Sequence, residues 1–143
     1  MKDLKIMKGI YFLILECLND TKIKVGRLGE INFKKGYYIY IGSALNNLEK
    51  RIERHLRKKK KIHWHIDYLT TNENFRIIKI YYLKTNEKIE CEIAKEFEKY
   101  FYFIKNFGNS DCKDNSHLFY SEKLENIEKI MNNIMHIHQI QMD

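Results

Sequence analysis

Tyrosine, arginine, histidine and glutamate side chains of this sequence could together hydrolyse a phosphodiester bond. That reaction needs a deprotonated water, a neutralised phosphate and a stabilised leaving oxygen. Glu92 is expected to hold one Mg²⁺ or Mn²⁺, because a carboxylate is the oxygen ligand that such ions take while they keep several waters. Arg51 offers a rigid fork of donors to the phosphate oxygens on which charge builds in the transition state.

Three tyrosines, Tyr11, Tyr38 and Tyr40, could position the attacking water or accept its proton. A free tyrosine has a pKa of about 10, so base catalysis needs a nearby cation, which Arg51 or the metal could supply. His55 follows Arg51 by one helical turn and is expected to be a proton shuttle or a phosphate ligand. The alternatives are structural, because tyrosines also pack sheets and a lone arginine is usually a solvated helix charge.

Two strands must position the tyrosines. Residues 9–17 form a nearly unbroken apolar run and predict a strand that is buried on both faces. Residues 37–42 are aromatic or β-branched up to Gly42 and predict a second strand. Tyr38 and Tyr40 share one face of that strand. We expect its isoleucine face to point inward, which leaves the two tyrosines free for another role.

Amphipathic helices alternate with these and other strands. The first helix is expected to begin at Asn46 or Asn47 and to turn Leu48, Ile52 and Leu56 to the core. Two further helices are predicted at residues 88–105 and 122–136. Further strands are predicted at residues 22–26, 30–34, 76–83 and 117–120. The structure of residues 64–69 is left open, and the tail from residue 137 is expected to fray. The expected fold is α/β (α+β): one domain over residues 1–143 with a small, mainly antiparallel sheet flanked by helices.

Two triplets in these strands, Gly9-Ile10-Tyr11 and Tyr40-Ile41-Gly42, resemble those that name the GIY-YIG nuclease superfamily. The segment that follows, residues 43–55, is similar to that superfamily's first helix with its arginine and histidine. Glu92 stands where the superfamily carries a metal-binding glutamate and is preferred over its neighbours Glu90 and Glu96. The 28 residues (12–39) that separate the triplet tyrosines exceed the usual short hairpin, and this matches a branch of small prokaryotic proteins.

The likeness to that branch continues in the segments 61–69, 107–112 and 116–120, so that it covers about residues 8–120. It implies a GIY-YIG-like fold and a metal-dependent endonuclease (a hydrolase) acting on DNA, in repair or on branched structures. The implied catalytic residues are Tyr11 as the base, Tyr40, Arg51, His55 and Glu92 as the metal ligand. The sequence departs from the branch at Asp114, where a cysteine is expected.

The charge balance suggests a polyanionic partner, because 26 Lys and Arg against 19 Asp and Glu give a formal net charge of +7. The predicted nucleic-acid surface comprises Tyr38, Arg54, Lys58, Lys59, Lys60, His63 and His65. DNA is favoured over RNA, and sequence specificity is not expected, because phosphate contacts carry little sequence information. A solvated helix end and a binding module without activity are the alternatives. One catalytic centre per chain suggests a homodimer or a DNA-repair partner for duplex cleavage.

Cysteine usage and hydropathy bear on the compartment. Cys17, Cys91 and Cys112 are odd in number and widely spaced, so we expect reduced thiols rather than a disulfide framework. No apolar run approaches the roughly 18 residues that a membrane span needs, and no secretory signal is recognisable. A cytoplasmic location is expected.

A zinc site is a weaker alternative. His63 and His65, at positions i and i+2, could bind one ion together with Cys91, Cys112 and His117, although no C-x-x-C or H-x₃-H spacing is present. Asp111 and His117 could instead form a hydrogen-bonded corner or extend the catalytic site.

Overall fold

The computed structural model describes residues 7–109, 112–138 and 140–142. Within these residues the strands are β1 Gly9–Cys17, β2 Thr21–Lys24, β3 Glu30–Phe33, β4 Gly36–Ala44, β5 Phe75–Lys84, β6 Tyr102–Phe103, β7 Leu118–Ser121 and β8 Gln141–Met142. The helices are α1 Leu48–Leu56, α2 Asp67–Thr70, α3 Glu90–Phe97 and α4 Leu124–His138, with a 3₁₀ turn at Gly26–Leu28.

Six strands form one sheet in the order β6-β7-β4-β1-β5-β8, and each neighbouring pair is antiparallel. The strands β2 and β3 form a separate antiparallel hairpin. The predicted α+β class, with a mainly antiparallel sheet flanked by helices, is therefore confirmed. The short helix α2 begins within the segment 64–69, which the sequence left open, and ends one residue beyond it.

Two hydrophobic cores cover the two faces of this sheet. One core receives α1, α2 and the β2–β3 hairpin through Leu48, Ile52, Leu69, Val25 and Phe33. The opposite core receives α3 and α4 through Ile93, Phe97, Ile127, Met131 and Ile134. Strand β1 lies at the centre and is buried on both faces, as its unbroken apolar run predicts.

Both faces of β4 are buried, so the prediction of a free tyrosine face was wrong. Tyr38 is only 1% exposed and packs against Phe33 and Phe75. Its hydroxyl donates a hydrogen bond to the carbonyl oxygen of Lys34. The hairpin β2–β3, formed by the long insertion between the triplets, supplies this cover. Tyr38 is thus a core residue, and its assignment to the nucleic-acid surface is corrected.

Two helix boundaries differ from the sequence pattern. The helix predicted over 88–105 ends at Phe97, since Tyr102–Phe103 instead pairs with β7 at the edge of the sheet. The last helix extends to His138, and the tail predicted to fray returns to the sheet, where Ile140 is buried and β8 pairs with β5. No helix in the described part of the chain has the length and apolar character to cross a bilayer.

The expectation of reduced thiols is corrected at one pair of cysteines. Cys91 on α3 and Cys112 in the loop before β7 form a disulfide. Cys17 is a free thiol, buried in the core beneath the hairpin. Neither the number of cysteines nor their spacing predicted this pair, because residues 91 and 112 come together only in the folded chain. Asp111, predicted to form a corner with His117, lies outside the described residues.

The predicted inner stripe of α1 gives a matched test of these packing relations. Ile52 is fully buried, whereas Leu56, one turn later, is half exposed. We expect Ile52→Ala to lower the free energy of unfolding by about 2–5 kcal/mol, because it leaves a cavity under the sheet. Leu56→Ala should change it by only about 0.5 kcal/mol. Urea unfolding followed by circular dichroism measures both, and equal losses would contradict this packing.

Candidate active site

A cleft of about 690 Å³ opens where β1 begins and β4 ends. Antiparallel pairing brings those two strand ends together, with Tyr11 opposite Gly42 and Leu13 opposite Tyr40. The side chains lining the cleft include Tyr11, Tyr40, Arg51, His63, His65 and Glu90. Five of these were predicted from the sequence as site residues, and the sixth, Glu90, was not.

Gly42 provides the space that the Tyr11 ring occupies. A β-carbon at position 42 would lie 2.5 Å from both the Cζ and the Oη atoms of Tyr11. A β-carbon on Gly9 would similarly collide with the backbone carbonyl of Leu83 on β5. Close approach of neighbouring groups, rather than an unusual backbone conformation, therefore requires a glycine in each triplet.

Tyr11, which lines the cleft, makes a polar contact with His55, which is buried behind it. The Tyr11 hydroxyl and the Nε2 atom of His55 are hydrogen-bonded at 2.7 Å. His55 is 1% exposed because α1 turns it toward the sheet. Burial, assisted by the Lys60 ammonium group, lowers the pKa of His55 to about 3, so the imidazole is neutral at pH 7. Burial also raises the pKa of Tyr11, although Arg51 opposes that shift.

Tyr40 lies beside this pair. Its ring centroid is 6.4 Å from that of Tyr11 and 6.2 Å from that of His55. The ring is buried, and burial raises the pKa of its hydroxyl well above the usual value. Gly108, at φ +68°, passes close to the Tyr40 ring and donates its N–H to Nδ1 of His65 at 3.0 Å. The loop before β7 thereby closes one side of the cleft.

Arg51 is held from two directions. Its Nη1 donates to the carbonyl oxygen of Ser43, at the end of β4, at 2.9 Å. Its guanidinium carbon lies 4.5 Å from the centre of the Trp64 ring, a cation–π distance. Because a guanidinium has five N–H donors, this anchoring leaves it the capacity to bind an anion in the cleft.

Arg54 is occupied by an ion pair that the sequence did not predict. Its Nη1 and Nη2 donate to Oδ1 and Oδ2 of Asp67, each at 2.8 Å. Asp67 is fully buried and also accepts the backbone N–H groups of His63 and Trp64. Burial opposes ionisation, but Arg54 and these N–H groups lower the pKa of Asp67 to about 2. Arg54 thus fixes the loop after α1. Because these contacts use several of its N–H donors, fewer of them are available to bind nucleic acid.

The lysines predicted to bind nucleic acid fall into two groups. Lys58 donates to the carbonyls of Asn72 and Phe75, and Lys60 donates to those of Arg54 and His55 at the end of α1. Burial lowers the pKa of Lys60 to about 8. Lys59 and the adjacent Arg57, Lys61 and His63 are exposed. Lys59 and His63 of the predicted surface, with their neighbours Arg57 and Lys61, are therefore accessible to a polyanion, whereas the ammonium group of the exposed Lys58 is bound to backbone carbonyls.

The predicted metal ligand, Glu92, needs correction because its side of α3 faces solvent. Glu90 is the glutamate of α3 that lines the cleft, and its Oε2 lies 2.8 Å from Nδ1 of His117. Helical periodicity carries the signal that was missed: Glu90 precedes the buried residues Ile93 and Phe97 by three and seven positions, which places all three on one face. Glu92 lies off that face.

The set of residues that could bind zinc in the structure differs from the set predicted from the sequence. Cys91, Cys112, Asp114 and His117 offer ligand atoms that all lie within 4.8 Å of one another. His63 and His65 are not in this group, since His65 instead accepts the Gly108 N–H. Asp114, the departure from the branch pattern noted in the sequence, belongs to the group.

Residues 10–140 match the family described as Domain of unknown function DUF123. The chain belongs to this family. The description assigns the family no activity, so membership supports neither a nuclease nor a binding module. No curated protein and no solved structure shows a significant match to the chain.

The contact between Gly42 and Tyr11 can be tested by a double-mutant cycle. Gly42→Ala should lower the free energy of unfolding by about 1–3 kcal/mol, because the added methyl group displaces the Tyr11 ring. In a Tyr11→Ala background the same substitution should be nearly neutral. Ser43→Ala, at the exposed neighbouring position, is the control. Equal effects of Gly42→Ala in the two backgrounds, measured by urea unfolding, would show that the ring does not need this space.

The ion pair of Arg54 and Asp67 predicts an acid-sensitive contribution to stability. The folded-state pKa of Asp67, about 2, is below its unfolded value of about 3.9. The contribution is therefore present above pH 4 and is lost as the pH falls from about 4 to 2. Asp67→Asn should lower the free energy of unfolding by about 1.5–3 kcal/mol at pH 7 and remove this dependence. Glu53→Gln, at an exposed acid on α1, should leave both unchanged.

Proposed function

We propose that this protein is a metal-dependent endonuclease that hydrolyses phosphodiester bonds of DNA in the cleft. One observation carries the proposal: the Tyr11 hydroxyl, hydrogen-bonded to a buried neutral histidine, shares the cleft with an arginine and a glutamate. A proton acceptor, an anion ligand and a carboxylate are the groups that hydrolysis of a phosphate diester requires. The resemblance of the two triplets to the GIY-YIG superfamily supports the same assignment.

In the proposed mechanism Tyr11 takes a proton from the attacking water and passes its own proton to Nε2 of His55. In its neutral form His55 has an unprotonated nitrogen that can receive this proton, but its lowered pKa makes it a weak acceptor, so the bound substrate and metal must favour the transfer. The relay also avoids a free phenolate, which the raised pKa of Tyr11 disfavours. The water oxygen then bonds to phosphorus and the bond from phosphorus to the leaving oxygen breaks. The leaving oxygen takes a proton from solvent, and His55 returns the proton it received to solvent by way of Tyr11, which restores both residues.

Arg51 is the proposed ligand of the non-bridging phosphate oxygens. Its contacts with the Ser43 carbonyl and the Trp64 ring fix the guanidinium before the substrate arrives. A preorganised donor of this kind stabilises developing negative charge without reorganisation during the reaction. Tyr40, at the same cleft wall, is proposed to position the substrate or the water through its hydroxyl.

Glu90 fits the requirement for a magnesium or manganese ligand. It is a partly buried carboxylate in a cleft wide enough for the waters that Mg²⁺ retains. When bound there, the ion would act as a Lewis acid on the phosphate. Glu92, on the outer side of the helix, has no comparable setting. The metal role predicted for Glu92 is therefore reassigned to Glu90.

The exposed cations Arg57, Lys59 and Lys61 are the proposed contact surface for the nucleic-acid backbone. They carry affinity through phosphate contacts, so binding should weaken steeply as salt rises. Such contacts do not read bases, which favours recognition of DNA structure, as in repair or on branched molecules. One catalytic centre of this kind cuts one strand, and a duplex break would need a second copy or a repair partner.

A nucleic-acid-binding module without turnover is the second candidate. The pKa shifts of Tyr11 and His55 favour the binding module, because burial raises the pKa of Tyr11 and lowers that of His55 to about 3. Both shifts oppose proton transfer in the free protein. This candidate keeps the basic surface and predicts salt-sensitive binding of DNA or RNA with no cleavage.

A cleavage assay with two paired glutamate variants tests the proposal. Labelled single-stranded, duplex, flap and junction DNA, together with RNA, are incubated with Mg²⁺, Mn²⁺ or EDTA. Glu90→Gln should abolish metal-dependent cleavage, whereas the matched control Glu92→Gln, two residues away, should cut at close to the wild-type rate. Arg51→Ala should reduce the rate about 10²–10³-fold, because it removes a preformed donor to the phosphate.

Tyr11→Phe separates the proton relay from packing, because it removes the hydroxyl and keeps the ring. It should slow cleavage about 10²–10⁴-fold without loss of substrate affinity. Binding without cleavage under every metal condition would establish the second candidate instead. Loss of activity in Glu92→Gln but not in Glu90→Gln would overturn the reassignment of the metal.

A further inference from the structure

A second cluster of polar side chains borders the cleft at α3. Cys91 lies on that helix, Cys112 and Asp114 lie in the loop before β7, and His117 immediately precedes β7. One ligand atom from each lies within 4.8 Å of the others. In this structure the two sulfurs are joined as a disulfide. The cluster therefore gathers two sulfurs, one carboxylate and one imidazole around one point.

The buried oxygens and nitrogens of this cluster are incompletely satisfied. Asp114 and His117 have side chains that are almost wholly buried, and Oδ2 of Asp114 lies 2.8 Å from Nε2 of His117. The other carboxylate oxygen, Oδ1, is buried and has no hydrogen-bond partner among the residues that the structure describes. Buried carboxylate oxygens normally find a donor or a cation, because an unsatisfied one is unfavourable. An ion at this point would supply the missing partner.

We propose that the reduced form of this cluster binds one Zn²⁺ through Cys91 Sγ, Cys112 Sγ, Asp114 and His117 Nε2. Thiolate, imidazole and carboxylate are the donors that four-coordinate zinc accepts. In a tetrahedral zinc site, ligand atoms lie about 3.3–3.8 Å apart. All four atoms already lie within 4.8 Å of one another, and reduction must let the two bonded sulfurs move apart to reach that spacing. Two soft sulfur donors favour Zn²⁺ over Mg²⁺ or Ca²⁺, which select oxygen ligands.

Formation of the site from the disulfide is a balanced two-electron step. A dithiol reductant breaks the bond between Cys91 and Cys112 by thiol–disulfide exchange, supplies two electrons and two protons, and becomes a cyclic disulfide. Zinc then replaces the two thiol protons, which pass to solvent. The disulfide and the zinc site are therefore alternative states of the same two sulfurs.

Glu90 lies where it could contact a zinc ligand without binding the ion itself, and we call such a residue an outer partner of the site. Its Oε2 lies 2.8 Å from Nδ1 of His117, on the ring nitrogen opposite to the one that faces Asp114. A histidine that binds zinc through one nitrogen commonly donates its other N–H to a carboxylate, which fixes the orientation of the ring. Glu90 lies at that distance before any ion is present, although Nδ1 makes no well-directed hydrogen bond to it in this structure. The zinc site does not depend on the proposed nuclease activity.

Zinc binding to the full-length chain tests the inference directly. The protein is reduced with tris(2-carboxyethyl)phosphine, freed of metal with EDTA, desalted and titrated with Zn²⁺ against a chromophoric chelator. One Zn²⁺ should bind per chain, and Co²⁺ in its place should give thiolate-to-metal charge-transfer absorption. Because one ligand is lost, Cys112→Ser and His117→Ala should each weaken binding at least 100-fold. Cys17→Ser and His63→Ala are the matched controls and should bind as the wild type does.

Two further variants probe the remaining positions. Asp114→Cys should tighten zinc binding, because it replaces a carboxylate with a third thiolate. Glu90→Gln should keep the stoichiometry of one and weaken the affinity about 10–100-fold, since it alters only the outer partner. A reduced wild-type protein that binds no zinc would overturn the inference and leave the pair as a disulfide alone. Equal affinity in Cys112→Ser and the wild type would overturn it as well.

Discussion

The opposition of Tyr11 and Gly42 across β1 and β4 is the constraint on which the rest of the site depends. Because position 42 has no side chain, the tyrosine ring can lie against the neighbouring strand with its hydroxyl directed to the end of the sheet. There it meets His55, which α1 holds at 2.7 Å. A one-residue shift of register would move Tyr11 to the opposite core and separate this pair, since strand side chains alternate between faces.

Three of the cations at the end of α1 and just after it have structural contacts. Asp67 neutralises Arg54, while backbone carbonyls receive the ammonium groups of Lys58 and Lys60. These contacts secure the segment between α1 and α2, and the Trp64 ring of that segment supports Arg51. The net charge of +7 suggested a polyanion, but composition could not distinguish cations that hold the fold from cations that can meet a phosphate.

The sequence pattern correctly predicted the elements whose structure depends on neighbouring residues. The unbroken apolar run of β1 and the capping of α1 at Asn47 were recognisable from residue types alone. The patterns were misleading where distant segments decide, as at Tyr38, which the inserted hairpin covers, and at β6, whose pairing with β7 ends a helical pattern early. No local signal encodes either contact.

The candidate site likewise combines residues that the sequence could indicate with one that only the folded structure identifies. The resemblance of the triplets and of the helix after them pointed to Tyr11, Tyr40 and Arg51, which line one cleft, and to His55, which is buried against Tyr11. The choice between Glu90 and Glu92 required the helix face to be known. That choice has a consequence beyond the cleft. Glu90 contacts His117, so the proposed catalytic carboxylate is also the outer partner of the proposed zinc site. If both proposals hold, the redox state of the two cysteines determines how firmly His117, and through it Glu90, is held.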